Sequence, residues 1–151
     1  GMPSFREMGM KCKIEGFHRH HIIPLEVVER PTFSVMFGHL RAIGFDPHDF
    51  GTNGMHLPCT EKMAIVFGLP MHRGSHPLYN AVVATRVAQI VCLPVGDAYS
   101  SMRLLQRVLR KNLRQGRTLQ PLGLTGNAID FRTLEMDAQM LHGLIDIAFS
   151  Q

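Results

Sequence analysis

The sequence contains only three cysteines, Cys12, Cys59 and Cys92, and their positions form no recognisable spacing pattern. Small disulfide-stabilised domains need more cysteines at closer spacing, so we expect three reduced thiols. Long apolar runs are also missing, because no stretch reaches the roughly 20 residues needed to cross a bilayer. These two absences argue against a disulfide framework and against a membrane-spanning segment.

A signal peptide is not apparent either, because residues 2–16 mix charged and polar side chains. We therefore expect a cytoplasmic protein, or one exported by a route without a cleavable signal peptide. The chain also lacks internal repeats, low-complexity tracts and linkers. A length of 151 residues and a hydrophobic share of 45% are typical of one domain with a packed core, expected to span residues 2–151.

Histidine, by contrast, is abundant and unevenly distributed. Eight of the nine histidines lie in the first half of the chain: His18, His20, His21, His39, His48, His56, His72 and His76. The imidazole ring is the commonest metal ligand in proteins, and its pKa near neutrality suits proton transfer. The crowding therefore indicates a site, while the formal net charge of +4 permits a polyanionic partner without proving one.

Turn and cap residues predict an α+β fold in which two short strands precede most of the helices. The strands are expected at 17–23 and 55–57, with Asn53-Gly54 as a turn before the second. Helices are expected at 34–43, at 60–68, from 75 or 76 to 93, at 97–116 and at 130–149. This order brings the histidine-rich segments to the strands and to the start of one long helix.

Three segments carry the chemistry: His20-His21-Ile22-Ile23-Pro24, Asn53-Gly54-Met55-His56-Leu57-Pro58 and His72-Arg73-Gly74-Ser75-His76-Pro77. Phosphodiester hydrolysis needs an activated water, which a neutral imidazole can provide, and charge stabilisation, which a divalent metal can provide. His72 and His76 are four residues apart, a spacing that fits two imidazoles on one metal. Either His20 or His21 would complete a three-ligand site, and the other would be free to act as base.

In this order the three segments resemble the AHH group of the HNH and endonuclease VII-like nucleases. The resemblance covers about residues 17–80 and implies a ββα-metal core, a β-hairpin with a long loop insertion that is followed by a helix. Residues 81–151 would then form two or three accessory C-terminal helices. One departure is Arg19, which stands where the group's name expects alanine.

The resemblance also implies a role for each motif residue. His20, His72 and His76 are implied as ligands of one divalent metal ion, zinc or magnesium, and His21 as the general base. Asn53 is implied to hold the base and its loop. The implied activity is metal-dependent endonucleolytic cleavage of nucleic acid, with DNA as the expected substrate. A role as a bacterial toxin-type nuclease would add an immunity or inhibitor protein as a partner.

Residues around the motifs are expected to support the site or to touch substrate. His18, His56 and Tyr79 are expected to lie behind the site. Arg19 and Arg73 are expected to contact phosphate, although a solvent-facing position for Arg19 is equally compatible with the sequence.

The helix expected at 97–116 has its cations within roughly one third of its circumference. No acidic residue lies between Ala98 and Gly116. Phosphate contacts are therefore expected from Arg103, Arg107 and Arg110, with an ordinary solvated face as the alternative.

Two other functions are compatible with the same residues. The first is a non-catalytic nucleic-acid-binding module with a structural zinc site, which metal-dependent cleavage would exclude. The second is a retired nuclease fold that acts as an interaction protein. His21 stands intact beside a complete set of expected ligands, which argues against retirement.

Overall fold

The computed structural model describes residues 15–69, 77–115 and 138–151. Two strands form an antiparallel hairpin, β1 (Phe17–His21) and β2 (Gly54–Pro58). The segment between them carries α1 (Leu25–Val28), α2 (Pro31–Ala42) and α3 (Phe50–Asn53). After the hairpin come α4 (Glu61–Phe67), α5 (Pro77–Ile90), α6 (Val95–Gln115) and α7 (Ala138–Phe149). The predicted α+β class is confirmed, and no described helix is long and apolar enough to cross a membrane.

The register of the hairpin decides which histidines share a face. His21 lies opposite Gly54, His20 opposite Met55, and Arg19 opposite His56. Because side chains alternate along a strand, Arg19, His21 and His56 lie on one face of the hairpin. His20 lies on the other face, and its 2% exposure shows that this second face is turned towards the core.

Local sequence explains where several of these elements begin and end. The Thr60 side chain accepts a hydrogen bond from the Met63 amide and caps α4, which ends at Gly68 in a left-handed conformation (φ 64°). These two boundaries agree with the sequence-based prediction. The helix predicted at 34–43 begins earlier, because Pro31 occupies its first turn.

Two short helices in the hairpin insertion were not predicted from the sequence. The segment after His21-Ile22-Ile23 forms α1, and the turn expected before Gly54 is the end of α3, which Asp49 caps by accepting from the Gly51 amide. The insertion therefore contains α1 and α3 in addition to the helix that the sequence predicted within it. The last predicted helix is described from Ala138 onward, and its expected first part lies outside the described residues.

One cluster of buried side chains joins the hairpin and its insertion to the later helices. It contains Ile22 and Leu57 from the hairpin region, Val83 from α5, Leu105 from α6 and Ile145 from α7. The division into a nuclease core at 17–80 and accessory helices at 81–151 stays a prediction. Its boundary falls inside α5, which runs without a break from Pro77 to Ile90.

Candidate functional site

The paired histidines at the end of β1 open into a shallow polar cavity of about 210 Å³. Its described lining consists of Arg19, His20, His21, Pro24, Leu25, Glu26 and Asn80. The lining comes from β1, from the start of the insertion and from α5, so three parts of the chain meet at the pair. The predicted metal ligand His20 and the predicted base His21 thus lie at one opening.

His20 is fixed against α5 through an aromatic contact. Its ring lies 5.3 Å from the ring of Tyr79, measured between centroids, in an edge-on arrangement. The Tyr79 hydroxyl donates a 2.7 Å hydrogen bond to the carbonyl of Ile22, two residues after His20. Complete burial raises the pKa of Tyr79, so the phenol keeps its proton and remains a donor. Tyr79, expected behind the site, therefore connects α5 to the backbone beside the histidine pair.

His21 lies in a different environment on the opposite face of the hairpin. Its ring contacts the Phe50 ring at 5.8 Å between centroids. Partial burial lowers the pKa of His21, and the positive charges of Arg19 and His48 lower that pKa further. These effects favour the neutral imidazole, which is the form that can accept a proton from water.

Phe50 organises this outer face. The Arg19 guanidinium lies 4.0 Å above the Phe50 ring, and the His56 ring contacts Phe50 at 5.1 Å between centroids. A Cβ atom on Gly54 would overlap the Phe50 ring, so Phe50 lies over the position that faces His21 across the hairpin. Burial and the charge of Arg19 also lower the pKa of His56. Sequence reasoning missed Phe50, and the nearest indication in the sequence is Gly54, four residues later, where the ring leaves no room for a side chain.

Asn53 is fully buried and holds the chain that follows His21. Its side-chain oxygen accepts from the Ile23 amide at 2.9 Å, and its side-chain nitrogen donates to the Ile23 and Pro47 carbonyls at 2.9 and 2.8 Å. The Asn53 carbonyl also accepts from the Ile22 amide at 2.8 Å. The contacts support the predicted holding role, and that role stays a prediction.

Sequence reasoning also missed three polar residues near the site. Glu26 lines the cavity, accepts a 3.3 Å hydrogen bond from Asn80 and pairs with Arg30 at 2.9 Å. Gln106, on α6, donates a 3.0 Å hydrogen bond to the Asn53 side-chain oxygen. Gln106 was detectable only as an uncharged polar residue at the edge of the apolar face of α6.

The basic face of α6 is divided by its contacts. Arg103 lies near the rings of Phe45 and Tyr99, at 6.0 and 5.8 Å from their centroids. Arg110 donates a 2.6 Å hydrogen bond to the Thr52 carbonyl, immediately before Asn53. These two predicted phosphate-binding residues thus make contacts within the protein.

The outward part of the same face consists of Arg107, Lys111 and Arg114, which are exposed. Together with Arg110 these residues line a shallow cavity of about 390 Å³. Burial and the nearby charge of Arg114 lower the pKa of Arg110.

Three predicted site residues, His72, Arg73 and His76, lie outside the described residues. Within the ranges 15–69, 77–115 and 138–151, no group of three histidine, cysteine, aspartate or glutamate side chains could hold a metal ion. Half-buried His18 lies on the core-facing side of β1 with His20, since the two residues are two positions apart on the strand. The proposed ligand set, the base and the supporting roles stay predictions.

Residues 5–111, more than half of the chain, match the model of the AHH family, described as a nuclease family of the HNH/ENDO VII superfamily with conserved AHH. This match confirms the resemblance drawn from the three motifs. It extends past residue 80 and includes most of α6. No curated protein and no solved structure matches the chain.

Proposed function

We propose that this chain, which belongs to the AHH nuclease family of the HNH/ENDO VII superfamily, is a metal-dependent endonuclease that hydrolyses phosphodiester bonds in DNA. The observation that carries the proposal is the shared opening of His20 and His21, with His20 packed on α5 and His21 on the outer face. Because the two adjacent histidines have different surroundings, one can bind the metal while the other acts as base on the same phosphodiester.

His21 is the general base in this proposal. Its lowered pKa keeps the ring neutral near physiological pH, so that the ring can accept a proton from the attacking water. The Asn53 hydrogen bonds to Ile22 and Ile23 fix the backbone next to that ring. Arg19, which lines the same cavity, supplies a positive charge for the phosphate.

His20, His72 and His76 are the residues that would hold the metal. The fit rests on the donor chemistry: His20 provides an imidazole at the cavity, next to Tyr79 of the helix whose first residue, Pro77, directly follows His76 in the sequence. Imidazole nitrogens suit zinc and other first-row transition metals, whereas magnesium prefers oxygen ligands. A bound metal would supply Lewis-acid stabilisation of the charge on the phosphate and on the leaving oxygen.

A plasmid-cleavage assay tests the function. Purified protein is incubated with supercoiled plasmid and a series of zinc, magnesium, manganese and nickel salts, with and without a chelator. We expect nicked and linear products that require metal, and loss of cleavage in His21→Ala. His39→Ala is the matched control, because His39 is an exposed histidine on α2. Duplex binding without cleavage at any metal would instead favour the non-catalytic binding module.

A further inference from the structure

The four hydrogen-bonding positions of the Asn53 side chain are all occupied, and their directions are fixed. The amide of Ile23 can only donate, and the carbonyls of Ile23 and Pro47 can only accept. The oxygen and nitrogen of the Asn53 amide therefore have one orientation. Its oxygen keeps one further lone pair, which Gln106 fills by donating from Nε2 at 3.0 Å.

The orientation of Gln106 is determined in turn from the other side. Because Nε2 must donate to Asn53, Oε1 of Gln106 is left as an acceptor, and Arg103 donates to it from Nη1 at 3.4 Å. A guanidinium can only donate, so Arg103 and Asn53 both require the same orientation of the Gln106 amide. Gln106 is only 4% exposed, which makes the removal of either hydrogen bond costly.

This chain of hydrogen bonds leads from α6 to the backbone that follows His21. Asn53 binds Ile22 through its carbonyl and Ile23 through its side chain. One helical turn after Gln106, Arg110 binds the Thr52 carbonyl. The helix therefore holds two consecutive residues, 52 and 53, and Gly54 after them faces His21 across the hairpin.

We propose that Gln106 is a positioning residue for the hydrolysis: its amide fixes the Asn53 amide and, through it, the backbone beside His21. The proposal rests on the proposed function, and it assigns to α6 a part in the site that is separate from its basic face. Gln106 touches no reacting atom, so its effect is expected on the rate of the chemical step rather than on substrate or metal binding.

The substitution Gln106→Glu tests this with little change of shape. It keeps an acceptor for Arg103 but replaces the donor to Asn53 with an oxygen that faces the Asn53 oxygen. We expect kcat to fall about tenfold to a hundredfold, since small displacements of a catalytic group cost that much, while KM and metal affinity stay near wild type. Gln89→Glu, at an exposed position of α5, is the matched control and should leave all three unchanged.

Amide hydrogen exchange measured by NMR gives a readout that needs no activity. Gln106→Glu should lower the protection of the Ile23 amide, while Val87 in the core of α5 keeps its protection. Gln106→Met, an apolar replacement of similar length, should have the same local effect if Gln106→Glu folds poorly. In an Asn53→Ala background, Gln106→Met should change Ile23 exchange no further, because Asn53→Ala already removes the side chain that links the two residues.

The outcomes separate this proposal from the proposed function. Unchanged Ile23 exchange and unchanged kcat in both Gln106 variants would overturn the positioning role, and so would a uniform loss of protection that includes Val87. A folded wild-type protein that cuts nothing with any metal would overturn the nuclease function instead. The exchange data would then still decide whether Gln106 holds Asn53.

Discussion

His20 and His21 are neighbours in sequence, yet the fold places them in two different environments. His20 faces the core, is 2% exposed and packs on the ring of Tyr79. His21 faces the outer side of the hairpin, is half-buried and lies against Phe50 near the charge of Arg19. The alternation of side chains along a strand is enough to explain this separation, since adjacent side chains point to opposite faces. A strand end that carries two histidines can therefore present the proposed metal ligand and the proposed base at one opening.

The sharpest test of this contrast is to remove each histidine in turn. His21→Ala should lower cleavage by about 10²–10⁴-fold, the usual contribution of a general base, and leave metal affinity near wild type. His20→Ala should lower both cleavage and metal affinity, because the substitution removes a proposed ligand. Metal affinity is measured by calorimetry and cleavage by plasmid nicking. Loss of metal affinity in His21→Ala would reverse the two assignments, and a rate loss below tenfold would contradict the base role.

Asn53 holds the backbone of Ile22 and Ile23, the two residues that follow His21, so its replacement should disturb the surroundings of the histidine pair. In Asn53→Asp a carboxylate oxygen would face the carbonyls of Ile23 and Pro47, which now receive hydrogen bonds. We expect the free energy of unfolding to fall by about 3 kcal/mol, as for other buried groups left in repulsive contact. Urea unfolding measures this, with Gln89→Glu as an exposed control. A change below about 0.5 kcal/mol, the range of ordinary surface substitutions, would contradict the buried network.

The sequence predicted the two strands and the long helices, because turn residues, caps and periodicity are local features. Thr60 and Gly68 mark the two ends of α4 where the structure has them. The contacts of Gln106, Phe50 and Asn80 could not be predicted in the same way. Each depends on a partner far away in the chain, as Gln106 does on Asn53, which lies 53 positions earlier, and only the packed fold brings such partners together.

The basic face of α6 contains arginines that make contacts within the protein and exposed cations that we expect to bind nucleic acid. Arg107, Lys111 and Arg114 are exposed, whereas Arg103 and Arg110 make internal contacts. Replacing the three exposed residues with glutamine should reduce the salt dependence of duplex binding, by about 0.9 in log–log slope for every phosphate that the substitutions leave unneutralised. Stability and metal affinity should stay unchanged, because these side chains point outward.

The control for this surface is the double variant Arg41→Gln and Lys62→Gln, which removes exposed cations from α2 and α4. Binding is measured by fluorescence anisotropy with a labelled duplex over a range of salt concentrations. An equal change of slope in the control and in the α6 variant would assign the effect to net charge. An unchanged slope in the α6 variant would assign the surface to solvent or to a protein partner.

His142 tests whether a lowered pKa is by itself enough to give a histidine a part in cleavage, as proposed for His21. Burial and the charge of Arg86 lower the pKa of His142 as well, with Asp146 acting in the opposite direction. Arg86 of α5 donates to the Nδ1 atom of His142 at 3.2 Å, a hydrogen bond that requires the neutral ring. The folded state therefore binds fewer protons here than the unfolded chain, whose histidine pKa is about 6.5. The stability that this hydrogen bond provides is present above that pH and is lost as the pH falls below it.

Among the four predictions of this section, the change in stability through His142 is expected to be the smallest, because solvent screens a partly exposed group. Wild type should lose stability between pH 7.5 and 5.5, and His142→Gln should reduce that loss, both measured by urea unfolding. Cleavage by His142→Gln at pH 7.5 should equal that of wild type. His142 lies on α7 and is absent from the described lining of the cavity. If His142→Gln lost as much cleavage as His21→Ala, burial beside an arginine would explain the effect of replacing His21. The position of His21 at the opening would then not be the reason.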